Sequence, residues 1–151
     1  MASDAKLQAW FTFLQAHDAA TGSLDAELRE RAGLTLSDYE VLLHLDRAAG
    51  SRLHLADLAA SVLLTASGTT RAVDRLERDG FVRRVPDPND GRATFVSLTA
   101  AGRRRFHAAA PVHLAGVRAR FLDAITKRDA EALRSIAVKV LAANGRAERT
   151  L

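Results

Sequence analysis

The sequence contains no cysteine, which removes disulfides, thiolate metal ligands and thiol-based redox sensing together. No apolar run approaches the roughly 18 residues that a membrane span needs. The opening MASDAKLQAWFTFLQ also lacks the basic start and continuous apolar core of a secretory leader. A cytoplasmic location without a membrane partner is therefore expected. The usual signatures of catalysis are missing as well, with no phosphate-binding glycine loop, no G-x-S-x-G elbow and no H-E-x-x-H. His107 and His113 lie six residues apart with no H-x-x-x-H pair to support them. Neither a metal, a cofactor nor an enzymatic reaction is expected.

What is present is an ordinary core composition on a basic chain. With 48% apolar residues in 151, the chain has enough to bury one core, and a single folded unit over 1–151 is expected. The formal net charge of +4 points to an anionic partner without identifying it. Its distribution is uneven. Residues 1–50 hold 4 basic and 8 acidic side chains, residues 51–98 hold 7 and 6, and residues 99–151 hold 11 and 4. Acidic and basic ends attract, so the two termini are compatible with packing side by side, although a solvated helical surface would read the same way.

Apolar residues at mostly helical spacing predict a long first helix from 5 to about 31, carrying Leu7, Trp10, Phe11, Phe13, Leu14, Leu24 and Leu28. Its apolar surface is broader than a helix wet on one side requires, and a partner chain would cover it. Ser37 followed by Glu40 forms a capping-box pattern that predicts a second helix over about 37–48, ending before Gly50. A short extended piece at 52–54 and two helical patterns, 55–63 and 65–80, come next. Thr65 is the expected N-cap of the second of these, and Gly80 its stop. Two short helices joined by a tight turn describe a helix-turn-helix.

After Gly80 the period changes. FVRRV and TFVSL are β-branched and aromatic runs on either side of PDPNDGRA, where Asp90-Gly91 is a hairpin signal. Thr99 then opens a helix in which Pro111 predicts a kink. A last helix from about 127 to 143 carries Ala132, Leu133, Ile136, Val140 and Leu141 on one face.

The chemistry concentrates between 65 and 99. Ser67, Arg71 and Arg75 are four residues apart and share a helical face with Thr70 beside them, while Val73 and Leu76 point away to pack. Guanidinium groups read guanine bidentately, and hydroxyls reach phosphates or base edges. The alternative is an amphipathic helix whose arginines pair with Asp74, Glu77 or Asp79. The hairpin downstream favours the first reading, because a helix-turn-helix followed by a hairpin is a winged helix. Arg92 at the wing is then placed to enter a minor groove, where A·T-rich DNA concentrates negative potential. Asp90 is expected to support it through an ion pair.

SGTTRAVDRLERDGFVRR followed by DPNDGRATFVSLTAAG resembles the winged-helix signature of MarR-type transcriptional regulators: a T-R-x-V-D-R-L-E recognition helix, a G-[LF]-V-x-R strand, a D-x-R wing and an L-T-x-x-G helix start. The resemblance implies a mainly α fold with a small β-hairpin wing. In it a winged helix-turn-helix at 35–99 is flanked by dimerisation helices at 5–34 and 100–145. It also implies a homodimer on double-stranded DNA at a pseudo-palindromic operator, released by a small ligand or other signal, and at family level a repressor. By position, Ser67, Thr70, Arg71 and Arg75 fall on the recognition helix and Arg92 on the wing. Where the family often reads D-R-R, this chain has Gly91 in the middle, so one wing cation is missing.

Members of the family often bind small aromatic acids between the dimer helices and the winged helix. The candidates here are Trp10, Phe13, Leu14 and His17 on one face of the first helix, with Tyr39 and Leu43 on the second. Plain dimer core is the alternative for these residues, and His113 is a further polar group near the kink. A winged helix used only for protein interaction also stays open, since residues 51–98 have 7 basic against 6 acidic side chains.

Overall fold

The computed structural model describes residues 2–63 and 66–149. Six helices and three strands follow one another as α1 (Ala2–Ala32), α2 (Leu36–Arg47), β1 (Arg52–His54), α3 (Leu55–Ser61), α4 (Ala66–Arg78), β2 (Val82–Asp87), β3 (Asp90–Leu98), α5 (Ala100–Arg120) and α6 (Lys127–Ala143). The chain divides into two compact units, Met1–Gly116 and Val117–Leu151. The fold is the expected one, mainly helical with a small antiparallel sheet. The Thr65 cap lies outside the described residues.

In the first unit, α2 buries Tyr39, Leu42 and Leu45 at the i, i+3 spacing of one helical stripe. From α4, Thr69, Ala72, Val73 and Leu76 face inward in the same way. Leu28, Leu34, Leu58, Val82, Val96 and Phe106 are among the other residues of this core.

The start of α2 differs from expectation by a residue. Its N-cap is Thr35, whose hydroxyl accepts the Asp38 amide at 2.9 Å, while the Asp38 carboxylate accepts the Thr35 amide at 3.0 Å. Thr35-Leu-Ser-Asp38 and Ser37-Asp-Tyr-Glu40 both fit the pattern. The first is used because Leu34, 2% exposed, must be buried just before the helix begins.

α4 ends as expected at Gly80, whose φ of 76° belongs to the left-handed region that glycine tolerates. The Phe81 amide reaches back to the Leu76 carbonyl at 2.8 Å, closing the helix in a Schellman pattern.

The sheet order is β1-β3-β2, all antiparallel. Leu53, Val96, Val82 and Leu98 share the core face, and the opposite face carries Arg52, His54, Phe95 and Val85. The hairpin turn lies at Pro88 and Asn89, between the paired Asp87 and Asp90, rather than at Asp90-Gly91. Asp87 fixes it by accepting the Asn89 amide at 2.8 Å. Gly91 and Arg92 then belong to β3, next to an irregularity in register between Pro86 and Asp87.

α5 begins where Thr99 accepts the Gly102 amide at 3.0 Å and donates to the Gly80 carbonyl at 2.8 Å. A Cβ on Gly102 would stand 2.0 Å from the Phe81 carbonyl oxygen, so the threonine and the glycine of L-T-x-x-G are both required by this close approach. Pro111 lies within α5, which runs through it as one helix. The second unit contains α6, capped by Thr126 and Asp129, and a bidentate pair between Arg134 and Glu148 at 2.7 and 2.8 Å.

Candidate nucleic-acid interface

Because α4 turns Thr69, Ala72, Val73 and Leu76 inward, its other side faces solvent with Ser67, Thr70 and Arg71 exposed. Among the described residues, Arg71 makes no hydrogen bond or ion pair. It lines a cleft of about 310 Å³ with Arg29, Thr35, Ser37 and Arg75.

Arg75 shares the face but not the freedom. Its guanidinium donates to the Asp38 carboxylate at 2.8 and 3.2 Å, and Asp38 is 6% exposed. One carboxylate therefore caps α2 and holds α4. Asp25 ties in α1 by accepting the Leu36 amide at 2.8 Å and the Arg29 side chain at 2.6 Å. Burial opposes charge on Asp25, yet these hydrogen bonds outweigh it and hold the carboxyl below its ordinary range.

The acids on α4 are also engaged, with a partner the sequence did not point to. Arg84 on β2 donates to Asp74 at 2.7 Å and to Glu77 at 2.6 Å, joining the helix to the wing strand. The Arg84 backbone amide, and then its side chain, hold the Glu77 carboxyl below its usual range. The alternative in which Arg71 and Arg75 pair with acids of their own helix is not what the structure shows.

Arg92 is exposed on the wing, and among the described residues its guanidinium has no partner. Asp90 supports it differently from expectation. The carboxylate accepts the Arg92 backbone amide at 3.0 Å and fixes the main chain, rather than pairing with the side chain. A carboxylate two residues back is reached most directly by the amide in an Asx turn.

The candidate ligand residues fall into two groups. Trp10 and Phe13 adjoin each other at 6.3 Å on α1, and with Leu14 and His17 they are exposed. Tyr39 lies in the core instead, 5.4 Å from Phe106 and 4.3 Å from the His113 ring, while Leu43 packs half-buried against that core. Burial raises the Tyr39 phenol above its ordinary value and lowers the His113 imidazole below its own. His113 Nδ1 is buried with no hydrogen-bond partner. Among the described residues, no group of three His, Asp or Glu is placed to hold a metal ion, and no helix is long and apolar enough to cross a membrane.

A family model described as MarR family matches residues 32–93, the span from the end of α1 to the wing. Among solved structures, Sco3205 of Streptomyces coelicolor, a MarR family transcriptional regulator in complex with DNA, is similar with a TM-score of 0.86 and 31% identity. The match covers 91% of this chain and 86% of Sco3205. AbsC, a MarR family transcriptional regulator of the same organism, gives 0.84 and 33%, over 93% of this chain and 94% of its own. The transcriptional activatory protein BadR of Rhodopseudomonas palustris is 34% identical over 88 residues, which are 58% of this chain and 47% of BadR, so the chain spans about half the length of that relative.

Proposed function

Because the chain belongs to the MarR family of DNA-binding transcriptional regulators, which are not enzymes, we propose that it acts as a cytoplasmic homodimer on a pseudo-palindromic operator. In this reading Ser67, Thr70 and Arg71 enter the major groove and Arg92 the adjacent minor groove. The observation that carries it is the contrast among arginines. Arg75 and Arg84 are committed to carboxylates, whereas Arg71 and Arg92, on the helix and on the wing, are exposed and unpaired among the described residues.

The exposed apolar side of α1 supports the dimer: Leu7, Trp10, Phe11 and Phe13 are each more than half exposed. A monomer in water has no use for such a surface. Two-fold pairing would set two recognition helices about one DNA turn apart, near 34 Å.

We further propose that a small aromatic carboxylate lowers DNA affinity and that the unliganded dimer represses. Trp10 and Phe13 offer the flat apolar contact, and His17 on the same face a group for the carboxylate. The activatory relative makes the sign of regulation a measurement of its own.

The test is a fluorescence anisotropy titration against the chain's own upstream intergenic DNA, with and without a panel of aromatic carboxylates. Saturable, salt-sensitive binding that one compound abolishes is the expected result. Specific binding that no compound affects would sink the ligand and keep the DNA reader. A promoter–reporter fusion that rises when the gene is deleted would establish repression.

A further inference from the structure

Besides the sheet pairing and the Arg84 bonds to α4, the wing is attached to the body of the winged helix close to its turn. His54 ends β1 and directly precedes α3. Its Nε2 lies 2.8 Å from Asp87 Oδ2, and its Nδ1 lies 3.5 Å from Asp57 Oδ2 on α3. The ring stacks on Phe95, its cross-strand partner, with centroids 4.0 Å apart and planes 20° apart. Asp87 in turn shapes the hairpin turn through the Asn89 amide, and the turn leads through Asp90 to Arg92. One imidazole thus links the root of α3 to the carboxylate that sets the wing turn.

We infer that His54 is a positioning residue for DNA binding, one that holds the wing turn, and with it Arg92, in the orientation that reaches the minor groove. The inference rests on the reading of Arg92 given above. Without the bond from His54, Asp87 keeps its turn hydrogen bond but loses its tie to the root of α3, and beyond the Arg84 bonds near the base of β2 the tip is held by strand pairing. That pairing is already irregular between Pro86 and Asp87.

The experiment uses the full chain and the site footprinted in its upstream intergenic DNA, synthesised with A·T-rich and with G·C-rich flanks. Wild type, His54→Ala, His54→Gln and Arg92→Ala are compared for the ratio of the two affinities, with thermal denaturation to confirm folding. His54→Ala is expected to lower the A·T preference threefold or more while changing affinity for the G·C-flanked site less than twofold. His54→Gln keeps a side-chain donor, so it is expected to retain part of the preference.

An unchanged ratio in His54→Ala alongside a lost preference in Arg92→Ala would overturn the positioning role. A ratio that Arg92→Ala leaves intact would instead overturn the wing reading, and the inference with it. Amide exchange of residues 86–94 in the free protein is a check that needs no DNA. It should accelerate several-fold in His54→Ala and less in His54→Gln, and unchanged exchange in His54→Ala refutes the attachment whatever the DNA shows.

Discussion

Arg71 and Arg75 are one helical turn apart on α4, and the same substitution should have different effects at each. Arg71→Ala is expected to weaken operator binding by about 1–3 kcal/mol and relax one base preference, with the melting temperature unchanged. Arg75→Ala removes the partner of a carboxylate that is 6% exposed. Leaving that group unpaired is expected to cost about 1–3 kcal/mol of stability. Anisotropy and thermal melts on the same two proteins separate reader from strut, and a normal melting temperature for Arg75→Ala would show that Asp38 does not depend on it.

His113 carries the other residue-scale prediction. Its folded form prefers the neutral imidazole because burial holds its pKa below the ordinary 6.5. Below that pH the unfolded chain binds more protons than the folded one, so this group's contribution is constant above about pH 6.5 and falls as the medium is acidified. His113→Phe keeps the ring against Tyr39 and removes the unpartnered nitrogen. It should flatten the decline in stability between pH 6.5 and 5 seen in chemical denaturation, and an unaltered slope would place the titrating group elsewhere.

At the scale of elements, the start of α5 is held against the start of β2 by Thr99 and by the missing side chain of Gly102. Gly102→Ala forces a carbon into the Phe81 carbonyl, and the backbone must shift. A loss of about 1–3 kcal/mol is expected from overpacking of this kind, read as a lower melting temperature. A neutral effect would mean that α5 slides at no cost.

Elements were also where the sequence was most and least legible. Periodicity and stop signals located the helices because each signal is local, as with Gly80 at the end of α4. Two overlapping patterns misplaced boundaries. Thr35 and Ser37 both head capping boxes, and Pro-Asn-Asp-Gly contains more than one possible turn. Both choices were decided by burial and strand register, which a short window does not contain. The exposed face of α4 was readable for the same reason that its fastenings were not. Ser67, Thr70 and Arg71 follow from a period of 3.6, whereas Arg75–Asp38 and His54–Asp87 join residues 37 and 33 positions apart.

For the whole molecule, the acidic first third matters as much as the basic surface. Residues 1–50 hold 8 acidic against 4 basic side chains, so α1 does not attract DNA, and in the proposed dimer its exposed apolar side meets a like helix. Phe11, 56% exposed, is a position where a charge should separate two copies without disturbing a core. Phe11→Glu is expected to give a monomer in sedimentation that keeps its helical signal and loses operator affinity by tenfold or more, since half-site binding alone is weak. A dimer that persists would move the interface away from α1.

The bond between Arg75 and Asp38 also bears on how such a protein can diverge. In the proposed reading Arg71, exposed and unpaired among the described residues, can be exchanged with a change of operator preference in a chain that still folds. Arg75 cannot, because Asp38, the cap at Thr35 and the attachment of α4 change with it. In a lineage that drifts toward new operators, position 71 should therefore vary independently, while 38 and 75 are inherited or replaced together.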